Sequence, residues 1–218
     1  GLNRNVESRR RETMTNSYQN VTTDALPTVG KLSIISMKGC EQFTAKIDSY
    51  LRSMRRDTEN VETYVTHVTC PRFGTGEGKC VIDETVRGHD VYIICDCFNY
   101  GVTYNMYGFD NHMSPDDHYQ DLKRVIAAMG GKARRVTVVM MMLYEGRQHR
   151  RSGRESLDAA IMLQELTQMG VSNIITFDAH DPRISNAIPL DGFDNVQPTY
   201  QMIKAIAHAV PDIKLDKF

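Results

Sequence analysis

The sequence predicts an α/β fold: a mostly parallel sheet with helices on both of its faces. Three observations carry this expectation. Short, nearly continuous apolar runs recur along the chain, as in Val91-Tyr92-Ile93-Ile94-Cys95, the pattern of strands buried on both sides. Between them lie segments whose apolar residues repeat at helical spacing, as at Phe43, Ile47 and Leu51. Glycine turns and capping signals separate the two kinds of segment, and strands alternating with amphipathic helices feed a parallel sheet.

Residues 1–28 are polar, carry the basic cluster Arg9-Arg10-Arg11, and lack sustained apolar periodicity. They read as a loosely docked arm, with the arginines more readily solvated than bound to a partner. From residue 29 to 218 the chain reads as one domain. Leu32 to Ser36 predicts a strand, Gly39 a turn, and Glu41 to Met54 a helix. Val61 to Val68 alternates as a strand, Val81-Ile82 starts another, and Val91 to Cys95 is a buried one. Residues 98–113, rich in Asn, Gly and Tyr, predict a long loop or insertion. Ser114-Pro115-Asp116-Asp117 then joins a cap, a proline at the first helical position and acids in the first turn, so a helix should run to Met129 and stop at Gly130-Gly131. Val136 to Leu143 predicts a strand, Glu155 to Met169 a helix, Asn173 to Phe177 a strand, and Pro198 to His208 a last helix.

Composition excludes several function classes. Lys+Arg 26 against Asp+Glu 27 leaves a net charge of -1, without the basic excess of a dedicated nucleic-acid binder. No apolar run reaches the roughly 18 residues that would suggest a membrane span. The opening Gly1-Leu2-Asn3-Arg4 lacks a basic-then-apolar leader pattern, so a cytoplasmic protein is expected and the sequon at Asn20 is set aside. Five cysteines, none in a C-x-x-C pair, read as reduced thiols and not as a disulfide framework.

Ligands of open α/β sheets bind beyond the carboxyl ends of the strands, so the residues there are the site candidates. Asp178-Ala179-His180-Asp181 follows one strand; Asp178 and His180 share a side if the extended backbone continues, and could hold a divalent cation or simply cap a turn. Glu145 to Glu155 follows another and places Arg147, Arg150, Arg151 and Arg154 in one loop. That loop suits a polyanion at a helix amino terminus, or is a solvated basic loop. Arg72 to Lys79 is glycine-rich but fits neither a phosphate loop nor a dinucleotide fingerprint. It reads as a hairpin that presents the ring of Phe73 and the carboxylate of Glu77, able to flank a base. Asp116-Asp117 reads as helix capping and not as a sugar-phosphate loop.

In order, four motifs resemble the amino-terminal half of the ribose-phosphate pyrophosphokinase family, also called phosphoribosyl pyrophosphate synthetases. They are Phe73-x-x-Gly76-Glu77; Thr85-Val86-Arg87-Gly88-x-Asp90-Val91; Arg147-Gln148-x-Arg150 with Arg154-Glu155; and Asp178-x-His180 followed by Ile188-Pro189-x-Asp191. The resemblance spans Lys31 to Ala205 and implies a phosphoribosyltransferase-like fold. It implies transfer of the diphosphate of Mg-ATP to C1 of ribose 5-phosphate, giving phosphoribosyl pyrophosphate and AMP, within a homo-oligomer that needs neither nucleic acid nor membrane. ATP-binding residues carried over are Phe73 and Glu77, often lent by a neighbouring subunit in the family, with Arg147, Gln148 and His149. Mg2+ falls to His180, with Asp178 in support.

The chain departs from the family pattern at Thr75 and His149, where relatives usually carry acids, at Met140 to Leu143, and in the longer segment Phe98 to Met113. These differences suit a divergent branch. The family's ribose 5-phosphate loop and basic catalytic loop, expected in a second domain, are missing from the 218 residues. The catalytic residues are therefore unassigned, and an inactive amino-terminal fragment is the expectation. A non-catalytic regulatory or associated subunit, or an unrelated module gripping another polyanion, are the alternatives.

Overall fold

The structure, a computed structural model, describes residues 29–55 and 60–210. The arm expected over residues 1–28 lies outside them. Six strands form one all-parallel sheet: β1 (Leu32–Ser36), β2 (Val65–Thr66), β5 (Asp90–Cys95), β8 (Arg135–Met140), β9 (Asn173–Phe177) and β10 (Gly192–Val196). Their order across the sheet is β10-β9-β8-β5-β1-β2, so the chain winds outward in both directions from the β1/β5 junction. Two small antiparallel pairs stand beside it: β3 (Val68–Thr69) with β4 (Val81–Ile82), and β6 (Thr103–Met106) with β7 (Phe109–His112).

The side-chain period of a strand divides the core between the two faces. Ile35, Val91, Ile93, Cys95, Val138, Met140 and Ile174 meet α2 (Pro115–Met129) and α3 (Asp158–Gln168) in the larger cluster, where Leu122, Val125, Leu163 and Leu166 are fully buried. Ile34, Ile94 and Val139 point the other way, toward Ile47 and Leu51 of α1 (Glu41–Arg55). Helices therefore cover both faces, as the apolar pattern required. The last helix, α4 (Thr199–Ala209), buries none of its residues in this chain. At the amino-terminal edge of the sheet, opposite its ligand end, Arg135 grips Asp90 through two hydrogen bonds across the directly paired starts of β8 and β5.

The start of α2 matches its signals. Ser114 caps it, the backbone N–H of Asp117 donates to the Ser114 hydroxyl, the Asp117 carboxylate accepts from the Ser114 backbone, and Gly130 ends the helix at φ 57°. Such a left-handed terminus favours glycine because it has no Cβ to clash. Elsewhere the boundaries differ from expectation. The long strand expected over Val61 to Val68 is two pieces of two residues each, one in the main sheet and one in a hairpin. Residues 98–113 are not a plain loop: Thr103–Met106 and Phe109–His112 pair as a hairpin turning through Tyr107 and Gly108. The strand expected to reach Leu143 stops at Met140. The helix expected from Glu155 begins at Asp158, so Glu155 belongs to the preceding loop with Arg154. No helix among the described residues is long and apolar enough to cross a membrane.

Candidate functional site

A cleft of about 590 Å³ opens beyond the carboxyl ends of β5, β8 and β9, where a parallel sheet presents its loops. Phe98, which follows β5, forms one wall. Met142 to Arg147, which follow β8, form another, and Asp178, Ala179 and His180, after β9, form a third. Pro115, at the start of α2, closes one side.

The β9 loop does not continue the strand. Asp178 adopts φ 48°, so the extended geometry that would have aligned Asp178 with His180 by simple alternation is broken. Left-handed backbone at a residue other than glycine is uncommon, and aspartate is among the side chains that tolerate it. The turn is held from outside: the Asp178 N–H donates to the Val196 carbonyl at 3.0 Å, and the Ala179 N–H to the Asn195 side chain at 2.9 Å. Both Asp178 and His180 are exposed and line the cleft.

Asp181, next in line, is occupied. Arg183 donates to both of its oxygens, and this grip holds its carboxyl far below the usual carboxylate range. His149 reaches the same carboxylate with Nε2 at 3.4 Å and sets its ring edge-on against His180. Its other ring nitrogen, Nδ1, is buried without a hydrogen-bond partner among the described residues.

The arginine loop is a closed excursion. Gln148 pins its neck: its side-chain amide donates to the Ser156 carbonyl at 2.8 Å, and its own carbonyl accepts from the Ala159 N–H at 3.3 Å, in the first turn of α3. Gln148 thus orders the loop with the amide group that the resemblance lends to nucleotide. Arg147 remains exposed and lines the cleft.

The β8 wall is built by aromatic packing. Tyr144 stacks on Tyr119 with centroids 4.5 Å apart, and its hydroxyl donates to Asp116. Burial, followed by that bond to a carboxylate, pushes the Tyr144 phenol well above its ordinary range. Glu145, held at φ 55°, has its carboxyl raised first by burial and then by Asp158 and Asp116 nearby.

Of the seven residues expected from the sequence, Arg147, Asp178 and His180 share the cleft, and His149 joins through its ring. Phe73 and Glu77 do not line it. They sit on the hairpin beyond β3 and β4, where the Phe73 N–H donates to the Glu77 carbonyl at 2.7 Å and Phe73 is 53% exposed. The Thr75 hydroxyl donates to the Glu77 carboxylate. Sequence reasoning missed Phe98, Tyr144, Glu145 and Asn195. Tyr144-Glu145 was signalled by its place after a buried run, whereas Asn195 has no local signal because it acts on the neighbouring strand's loop.

Among the described residues, no three His, Cys, Asp or Glu side chains are grouped to hold a metal by themselves. Asp178 and His180 supply one oxygen and one nitrogen donor. That set suits an ion whose remaining positions go to phosphate oxygens and water, the usual habit of Mg2+.

An open parallel sheet with an arginine, a carboxylate and an imidazole lining a cleft beyond its strand ends defines an α/β protein whose cleft stands at the usual ligand end of such a sheet. Comparison with known proteins narrows the class. Residues 32–170 match the model of the N-terminal domain of ribose phosphate pyrophosphokinase, and the chain belongs to that family. It is 30% identical over 141 residues to a ribose-phosphate pyrophosphokinase of Mesorhizobium japonicum, covering 63% of this chain and 41% of that protein. It is 31% identical over 115 residues to ribose-phosphate pyrophosphokinase 1 of Schizosaccharomyces pombe, covering 52% of this chain and 25% of that protein. The chain thus spans less than half the length of these curated relatives. Its fold is similar to a crystal structure of phosphoribosylpyrophosphate synthetase from Mycobacterium smegmatis, with a TM-score of 0.64 at 19% identity over 84% of this chain and 53% of that one.

Proposed function

We propose that residues from 29 onward form the amino-terminal domain of a ribose-phosphate diphosphokinase, and that the cleft holds the triphosphate of Mg-ATP. The observation that carries this reading is the convergence of Arg147, Asp178 and His180 from two separate strand ends into one cleft. Arg147 binds phosphate oxygens through its planar fork, which a lysine could not match. Asp178 and His180 hold Mg2+ and so fix the orientation of the phosphate chain. When bound, the metal neutralises triphosphate charge and supports in-line attack at the β-phosphorus. Phe73, standing outward on its hairpin, stacks on the adenine of a neighbouring copy's nucleotide, and Glu77 accepts a hydrogen bond from the adenine amino group. The sugar hydroxyl at C1 of ribose 5-phosphate attacks, AMP leaves, and the product is phosphoribosyl pyrophosphate.

The bond from Thr75 to Glu77, with the Gln148 amide already engaged in its own loop, favours a second reading: a non-catalytic associated subunit that keeps the fold. Calorimetric titration with ATP in the presence and absence of Mg2+ tests the cleft. Arg147→Ala and His180→Ala should each weaken Mg-dependent binding by tenfold or more, a factor worth about 1.4 kcal/mol. Equal affinity in both variants and the wild type would refute the assignment. Ribose 5-phosphate-dependent AMP release when the carboxyl-terminal domain of a relative is supplied would exclude the associated subunit.

A further inference from the structure

Outside the cleft, the chain places two cysteines opposite each other at the base of the hairpin that carries Phe73 and Glu77. β3 and β4 pair antiparallel with Val68 opposite Ile82 and Thr69 opposite Val81, and the pairing resumes with Arg72 opposite Gly78. The same register sets Cys70 against Cys80. Backbone bonds from Asp83 to His67, Lys79 to Pro71 and Phe73 to Glu77 mark the odd-numbered residues of the first strand as the hydrogen-bonded pairs. Cys70 and Cys80 therefore occupy a narrow, non-hydrogen-bonded pair, where opposed Cα atoms lie about 4.5 Å apart and both side chains leave the same face. That separation falls within the roughly 4.4–6.8 Å that a disulfide spans.

We propose that Cys70 and Cys80 are a disulfide-forming pair that clasps the Phe73–Glu77 hairpin when the chain meets a low-molecular-weight disulfide such as oxidised glutathione. The Cys70 thiolate attacks one sulfur of that disulfide and expels the other half as a thiolate. Cys80 then loses its proton and attacks the Cys70 sulfur of the mixed disulfide, expelling the second half. One protein disulfide forms, and one small disulfide becomes two thiols.

The surroundings assign these roles. The neighbouring Cys80, with Arg72 and Arg124 nearby, holds the Cys70 thiol below its ordinary range against the opposing pull of burial and Asp121. Cys80 is pushed the other way by Cys70 and by burial. A lowered thiol supplies the attacking thiolate. Access fits as well: both residues are only partly buried, and Cys70 lines a second cleft with Lys38, Glu41 and His67. Cys40, Cys95 and Cys97 are all buried in the core, out of reach of such a reagent.

The clasp acts on more than its own strands. The Tyr107 N–H donates to the Gly74 carbonyl at 2.8 Å, and the Arg72 guanidinium lies over the Tyr104 ring at 4.9 Å, so the β6–β7 hairpin is fastened to the one the disulfide closes. The expected consequence for nucleotide, a preorganised Phe73 and tighter binding, rests on the proposed function; the thiol chemistry does not.

The full chain is incubated with oxidised glutathione, denatured, alkylated and peptide-mapped. Free thiols should fall by two from the five in the sequence, with one peptide pair joined through Cys70 and Cys80. Cys80→Ser should stop at a glutathione adduct on Cys70, and Cys70→Ser should leave Cys80 unmodified. All five thiols remaining free, or a linked pair involving Cys40, Cys95 or Cys97, would overturn the proposal. If the linked peptide forms while Mg-ATP affinity is the same in both redox states, the clasp stands and the role given to Phe73 falls.

Discussion

The imidazole of His149 meets that of His180 edge to face, with ring centroids 5.2 Å apart, while its Nε2 turns toward Asp181. It holds this place although its Nδ1 is buried without a partner among the described residues. A buried polar atom left unsatisfied costs about 1–3 kcal/mol, and the Asp181 carboxylate is already satisfied by Arg183. His149→Phe keeps the ring contact and removes the orphan nitrogen. It should unfold in urea at the same or a higher concentration than the wild type. A loss of stability greater than about 1 kcal/mol would mean that Nδ1 has a partner in solution.

The joint between the Phe73 hairpin and α2 depends on one carboxylate. Asp121 accepts from Arg72 at 2.9 Å and from Arg124 at 2.6 Å, and the Arg72 and Asp121 side chains are only 7% and 5% exposed. Removing one partner of a buried pair leaves an uncompensated charge, which costs about 3–5 kcal/mol. Asp121→Ala should lower unfolding stability by that order and loosen the hairpin, seen as faster amide exchange at Phe73 and Gly76. A change below about 1 kcal/mol would show that Arg72 finds another acceptor.

His89 gives the chain a signed pH dependence. Its ring Nδ1 is 2.7 Å from the hydroxyl of the buried Ser33, and burial, then the nearby Lys31, lowers its pKa from the ordinary 6.5 despite the opposing Glu84. Between the lowered value and 6.5 the unfolded chain binds the extra proton and the folded chain does not, so stability rises with pH there. The His89 contribution is complete above 6.5 and is lost as pH falls through that value toward the folded-state pKa. Urea midpoints measured from about pH 7.5 down to pH 5 should drop more steeply in the wild type than in His89→Gln. Parallel curves would remove His89 as the cause.

Much of the fold and part of the site were legible locally. β9 runs from Asn173 to Phe177 as its apolar residues required, and α2 starts and stops on its own caps, because those signals act within a few residues. The placement of Asp178 and His180 after a strand, and of Arg147 after another, followed from the same reading. The β6–β7 hairpin was hidden because its strands, Thr103–Met106 and Phe109–His112, carry polar and aromatic residues without a buried alternating face. The true start of α3 was obscured because Leu157, its cap position, makes no side-chain capping bond.

Sequence alone determined the class of fold, since burial on two faces demands continuous apolar strands, and it determined which residue types stand at the strand ends. Only the tertiary structure decided how those residues meet. The bend at Asp178 is held by Val196 and Asn195 of the next strand, and the edge contact of His149 with His180 joins two loops far apart in the chain. Cys70 opposite Cys80 likewise depends on a strand register. Each of these arises from a long-range pairing, and spacing along the chain carries no record of which distant backbone will supply the partner.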